Sequence, residues 1–316
     1  MYAPTLDNEF AREVRAGLLR SDQKTLPCRF LYDEVGSALF EAITYLPEYG
    51  LTRADARVIE AHAEDLVDCL PPNVLVAELG SGSGRKTRTI LERLGQRQNV
   101  RYLPIDLSFT ALEKCAQDLS VCAAVFPVEG TYLDGLREVV ARREPGQTLL
   151  LLFLGSTIGN FEPDAAINLL YDVRQLLQPG DALLLGTDLV KPIEQLQLAY
   201  DDPTGVTAAF NLNLLARINR ELCADFRVRQ FEHVIRYDST LQRIEMHLRS
   251  RIAQTVRVDA ARVTVEFRAH ETIFTEACHK FRPEQICAMG RAAGFRLAAQ
   301  WIDPQWPFAE SLLNAV

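Results

Sequence analysis

Hydrophobic positions along the chain fall into two patterns. Continuous aliphatic runs at Val74 to Leu79, Leu149 to Leu154 and Ala182 to Leu185 have no polar face, the mark of parallel strands buried on both sides. Between them, apolar residues recur at helical spacing: Ile90, Leu91 and Leu94; Leu112, Cys115, Ala116 and Leu119; then Ala166, Leu170, Val173 and Leu177 after Pro163. Further strands are expected at Val100 to Ile105, near Ala123 to Val128, and last at Phe295 to Ile302. Strands alternating with helices over short connections predict an α/β, doubly wound parallel sheet, with ligands at the carboxyl ends of its strands.

Ahead of this run, Phe10, Val14 and Leu18 predict a helix that Pro27 stops, and Leu39, Phe40 and Ile43 mark a second. After the turn at Leu46 to Gly50, Thr52 and Asp55 have the spacing of a capping box opening a helix to Leu70. Beyond Lys191-Pro192 the period changes. Ile244 to Arg249 and Val263 to Arg268 alternate apolar with polar, as antiparallel strands with one wet face do. Residues 192–280 therefore read as an inserted α+β domain packed over the crevice, and 1–191 with 281–316 as the first domain.

Composition narrows the function. The 316 residues suffice for a full core, and the net charge of -8, without a Lys/Arg cluster or an N-P-P-[YF] tetrapeptide, argues against a nucleic-acid substrate. Seven cysteines with no C-x-x-C pair read as reduced thiols of a cytoplasmic protein, and five histidines make no metal-ligand spacing. The longest apolar run, Leu149 to Leu154, is too short to span a bilayer, and no signal peptide opens the chain.

The candidate chemistry begins at Glu78-Leu79-Gly80-Ser81-Gly82-Ser83-Gly84-Arg85-Lys86, a strand end, three alternate glycines and a helix start. Asp106 closes the next strand about 20 residues on, where nucleotide-binding folds place the acid that holds ribose hydroxyls. Dinucleotide enzymes space their glycines differently. The alternation, with Glu78 just before it, favours S-adenosylmethionine (SAM), which has a cationic sulfonium and no phosphate to cradle.

Seven segments then resemble a known family: Leu46-Pro47-Glu48-Tyr49, Glu78 to Gly82, Phe153 to Asn160, Leu184 to Lys191, Ala199 to Asp202, Arg243 to Met246 and Lys280 to Glu284. They are similar to the histidine Nα-methyltransferases of ergothioneine biosynthesis, over about residues 10 to 310. The resemblance implies a monomeric, cytoplasmic enzyme with a Rossmann-like methyltransferase sheet, no metal, and no nucleic-acid or membrane partner. It would trimethylate the α-amine of L-histidine, releasing S-adenosylhomocysteine. It places Tyr32, Gly80, Ser81, Gly82, Lys86, Asp106, Thr131 and Tyr132 on the cofactor. Tyr49 would sit by the amine as the catalytic residue, Gly155, Asn160 and Tyr200 by the substrate carboxylate, and Met246, Glu276 and Cys278 around the imidazole.

The chain departs from the family at two of these positions. Thr131 stands where the family has an aspartate for the adenine amino group, and Cys278 where it has an imidazole-bonding serine. A neutral hydroxyl accepts more weakly than a carboxylate, and a thiol donates more weakly than a hydroxyl. Another aromatic amino acid such as tryptophan, or a SAM-binding regulator without catalysis, are the alternatives these departures leave open.

Overall fold

A computed structural model describes residues 9–316. The chain opens with α1 (Glu9–Leu18), β1 (Lys24–Thr25) and α2 (Glu34–Thr44). Next come α3 (Leu51–Asp68), β2 (Val74–Leu79), α4 (Thr87–Gly95), β3 (Arg101–Asp106), α5 (Phe109–Leu119), β4 (Ala124–Val125), β5 (Val128–Glu129), α6 (Tyr132–Ala141), β6 (Thr148–Phe153), α7 (Pro163–Leu176) and β7 (Ala182–Asp188). Then follow α8 (Ile193–Tyr200), α9 (Val206–Leu222), β8 (Phe231–Asp238), β9 (Arg243–Ser250), β10 (Gln254–Val258), β11 (Val263–Phe267) and β12 (Thr272–His279). The chain ends with α10 (Pro283–Ala292), β13 (Phe295–Ile302) and β14 (Phe308–Ala315).

These elements form two compact units, one of residues up to Gly50 with Lys191–His279, the other of Leu51–Val190 with Lys280–Val316. The later seams lie between Val190 and Lys191 and between His279 and Lys280. Residues 9–50, expected with the parallel sheet, group instead with residues 191–279. The reason is pairing, since β1 adds in parallel to β12, Leu26 N–H donates to Phe274 O (2.9 Å), and α2 packs on α9.

The sheet unit has the order β13-β14-β7-β6-β2-β3-β4, with β5 also on β3. Strands β2, β3, β6 and β7 are mutually parallel, and the chain reverses its direction of winding between β2 and β6, the switch point where doubly wound sheets bind ligands. Leu149 to Leu152 are wholly buried, each contributing roughly 1.5–3 kcal/mol of transfer free energy. Two expectations change here. The strand expected near Ala123 to Val128 is two short bridges, β4 and β5. A strand not foreseen, β14, inserts antiparallel between β7 and β13. Glu310 and Ser311 interrupt its apolar run, so the sequence carries no strand period there, yet both are buried. At the end of β7, Asp188 receives Trp306 Nε1–H (3.0 Å) and pairs with Lys280 Nζ (2.9 Å), tying the returning chain to the sheet.

In the other unit, β12, β9 and β8 are antiparallel and β10 pairs β11 as a separate hairpin. Asp33 caps α2 by accepting Gly36 N–H (2.7 Å) and also accepts from Asn213 of α9 (2.7 Å).

Candidate functional site

The candidate residues divide between the two units, and each set is built differently. In the sheet unit, β2 ends at Leu79 and the chain turns through Gly80 (φ 66°), Gly82 (φ 52°) and Gly84 (φ 64°), left-handed conformations that cost a residue with a Cβ about 1–2 kcal/mol. The N–H groups of Gly80 and Ser81 both donate to Ile105 O (2.8 and 3.2 Å), folding the turn against the end of β3. Asp106 completes it. One carboxylate oxygen accepts Gly82 N–H (3.0 Å) and the other Ser108 N–H (2.9 Å), leaving lone pairs on both for ligand hydroxyls. A Cβ on Gly82 would meet nothing within 4 Å, so that side of the turn is open, whereas the Tyr132 ring lies over Gly80 and meets Phe153 edge-on (5.4 Å).

Glu78 does not face a ligand directly. It is 3% exposed and accepts from Thr87 Oγ1 (2.6 Å) and Tyr102 OH. Burial pushes its carboxyl up to about 7, against the pull of those two donors. Lys86, at the position before α4, is no solvated lysine. Its ammonium pairs with Asp55, which is fully buried and also accepts Gly155 N–H (3.0 Å). Burial pulls the Lys86 pKa down, but the Asp55 charge and hydrogen bond, with Glu78 and Glu310 behind them, outweigh it and leave the pKa raised. Asp55 is thus not the capping-box acid that its spacing from Thr52 suggested, since the helix already begins at Leu51.

Thr131 caps α6, accepting Asp134 N–H (3.3 Å) while its hydroxyl donates to the Asp134 carboxylate (2.7 Å). Gly155 (φ 72°) and Ser156 (φ 61°) form a left-handed pair after β6, and Ser156 carries backbone strain because it has a Cβ. Ser156 Oγ fixes this corner by accepting Asp188 N–H (2.9 Å). Asn160 ends the 3-10 turn that follows, while Glu162 occupies the N-cap position of α7.

In the other unit, Tyr32, Phe40, Tyr49, Tyr200 and Phe210 form one aromatic cluster. Tyr32 meets Phe40 and Phe210 edge-on (5.5 Å each), and Tyr49 meets Phe40 (6.5 Å) and Tyr200 (6.2 Å). Although Tyr32 is 38% exposed, burial of its ring and then the Glu276 carboxylate hold the phenol well above its ordinary value, with Cys28, Tyr49 and Cys278 adding to it. Tyr32, expected on the cofactor, thus shares its surroundings with the residues expected on the substrate.

Glu276 owes its place to a bulge. The register of β12 on β9 shifts between Phe274 and Glu276, so that Phe274 opposes His247 and Glu276 opposes Met246. Without the extra residue, Thr275, Glu276 would lie on the same face as Phe274. The shift carries Glu276 and Cys278 to the face of Met246 and Ile244, where all four are buried. Cys278 Sγ lies 3.7 Å from Glu276 Oε2, a weak donor on the carboxylate. Cys28 also senses this charge: burial, and then Glu276, push its thiol up to about 12.

His233 of β8 carried no mark of function in the sequence. Its Nε2 lies 2.8 Å from Tyr200 O and its Nδ1 2.9 Å from Asn211 Nδ2. Since the carbonyl can only accept and the amide nitrogen only donate, Nε2 carries the proton and the ring is neutral. Burial lowers its pKa in agreement. His233 therefore fixes the backbone at Tyr200.

Among the described residues no group of histidine, cysteine, aspartate and glutamate could hold a metal, and no helix is long and apolar enough to cross a membrane. A doubly wound sheet with an open glycine turn at its switch point and an acid on the neighbouring strand defines a nucleoside-cofactor enzyme of the Rossmann-like methyltransferase class. Comparison with known proteins makes this specific. Residues 10–315 match the family "Histidine-specific methyltransferase, SAM-dependent", and the chain belongs to that family. It is 43% identical to the histidine N-alpha-methyltransferase of Mycolicibacterium smegmatis, over 95% of this chain and 93% of that protein. Ergothioneine biosynthesis protein 1 of Neurospora crassa is 35% identical over 62% of this chain and 23% of its own length. The L-tryptophan methyltransferase of Psilocybe serbica is 26% identical over 96% of this chain and 92% of its own. The chain is a SAM-dependent methyltransferase.

Proposed function

We propose that this enzyme methylates the α-amino nitrogen of L-histidine three times, giving the betaine that begins ergothioneine biosynthesis, and that it works as a cytoplasmic monomer. The observation that carries the reading is the bulge in β12. It sets a buried carboxylate, Glu276, directly opposite Met246 and next to Cys278, in the unit that also gathers Tyr32, Tyr49 and Tyr200. A carboxylate accepts several hydrogen bonds at once, and an imidazole N–H is a donor of the kind it takes.

SAM supplies an electrophilic methyl group. The open turn at Gly80 to Gly82 suits the close approach of a ligand to backbone, Asp106 retains lone pairs for ribose hydroxyls, and Lys86 offers a cation to a carboxylate. Thr131 would accept from the adenine amino group with its remaining lone pair, and Tyr132 would cover the turn. On the substrate side, Glu276 would accept the imidazole N–H, Met246 and Cys278 would flank the ring, and Tyr200 would take the carboxylate. Tyr49 would sit by the amine, which needs no strong base. An α-amino group has a pKa of about 8, so a useful fraction is neutral at physiological pH, and correct positioning can supply roughly 7–11 kcal/mol of the barrier.

A second reading keeps the chemistry and changes the side chain. The thiol of Cys278 grips Glu276 weakly, and aromatic rings dominate this unit, which favours tolerance of tryptophan. Initial rates of methyl transfer from SAM to histidine, tryptophan and alanine decide between them. A kcat/KM for histidine well above both others supports the main reading. Equal or better transfer to tryptophan would replace it.

A further inference from the structure

Two buried carboxyls that the proposed chemistry does not use stand around Lys86. Asp55 (0% exposed) and Glu310 (1%) come from α3 and β14, and Lys86 Nζ meets Asp55. Two glycines leave room for the cluster. A Cβ on Gly186 of β7 would stand 2.7 Å from Glu310 Oε1, and one on Gly155 would stand 3.1 Å from Lys86 Nζ. Asp55 Oδ1 and both Glu310 oxygens have no donor, and the two carboxyls gather at one spot: the Cβ on Gly186 that would meet Glu310 Oε1 would also stand 3.1 Å from Gly155 N, whose N–H donates to Asp55. Two ionised carboxylates side by side repel, and neither can donate to the other. One proton placed between them supplies the missing donor and leaves Lys86 opposite a single negative charge.

We propose that Glu310 and Asp55 share one proton, Glu310 donating to Asp55, and that this pair positions the Lys86 ammonium for cofactor binding. Glu310 and Asp55 are positioning residues that act through Lys86, and the proposal rests on the reading that Lys86 contacts SAM. The groups facing Glu310 agree with it. Burial first, and then the Asp55 charge, hold its carboxyl well above the ordinary range, only partly opposed by Lys86, while Glu78 of β2 adds to the rise. Glu310 also borders a cavity of about 10 Å³, room for one water, whose wall includes His62 and Trp301.

The test measures SAM affinity by calorimetry against pH for the whole enzyme and for Glu310→Gln, Glu310→Ala, Asp55→Asn and Lys86→Met. A glutamine amide donates to Asp55 as a protonated glutamate does. Glu310→Gln should therefore bind SAM within about twofold of the parent while the parent's Glu310 holds its proton, and should lack the loss of affinity that the parent shows as rising pH removes that proton. Glu310→Ala and Asp55→Asn should weaken binding about tenfold. If Glu310→Gln is as weak as Glu310→Ala, or if parent and Glu310→Gln share one pH profile, the shared proton is refuted. Lys86→Met separates the two ideas. Unchanged SAM affinity there overturns the positioning role through the cofactor reading. In the Glu78→Gln background, which removes the other buried acid, the infrared band of a protonated carboxyl, present with Glu310 and absent once Glu310→Gln is added, would still report the proton, and its presence in both would refute it.

Discussion

Glu78 makes a sharp prediction because a single side chain should leave its own signature in the pH dependence of a whole unit. Its carboxyl titrates near 7 in the fold against 4.5 when free, and it is 3% exposed, so water screens little of the difference. At roughly 1.4 kcal/mol per pH unit, the displacement amounts to about 3 kcal/mol. The sign follows from proton counting. Between about pH 4.5 and 7 the folded state keeps the proton and the unfolded chain releases it, so this contribution is fully present below 4.5 and is lost by 7. Glu78→Gln removes the titration while its amide oxygen still accepts from Thr87 and Tyr102. Both tryptophans, Trp301 and Trp306, lie in the sheet unit, so tryptophan emission in urea follows this unit alone. The stability of Glu78→Gln minus that of the parent should climb by about 3 kcal/mol across this pH window and then level off. Parallel curves would refute the reasoning.

Further outcomes follow from the same geometry. Cys278→Ser places a stronger donor beside Glu276 and should lower the KM for histidine about three- to tenfold with kcat little changed, measured by steady-state kinetics. Thr131→Asp keeps the N-cap of α6 and offers a charged acceptor, so SAM should bind about threefold more tightly in calorimetry, less than an isolated charge would give because Asp134 lies alongside. Gly84→Ala forces a Cβ to within 2.7 Å of Cys115 Sγ and Leu119 Cδ1 at φ 64°, and should cost about 2 kcal/mol in urea unfolding.

How much of this could be read from the residues depends on whether the signal is local. The parallel strands β2, β6 and β7 are legible because burial on both faces writes itself as unbroken aliphatic sequence, and the glycine turn because left-handed backbone demands it. Strand β14 was hidden because its buried positions include Glu310 and Ser311, polar residues whose partners lie far away in sequence. Asp55 misled for the same reason: three residues from Thr52 it mimics a helix cap, and only the fold reveals Lys86 and Gly155 as its partners. Met246 and Glu276 could be named from resemblance, but the bulge at Thr275 that sets them opposite one another exists only as a register between strands. The first 50 residues likewise carry helical periodicity without any sign of which unit they join. Two residues, Lys24 and Thr25, settle it by pairing with Ile273 and Phe274.

The account turns on the identity of the amine that accepts the methyl groups. Incubating the protein with SAM and L-histidine and following the amino acid by fragmenting mass spectrometry tests this directly. Histidine should gain one, two and finally three methyl groups, all on the α-nitrogen. Histidine left unchanged, or methylated on its imidazole, would contradict the assignment.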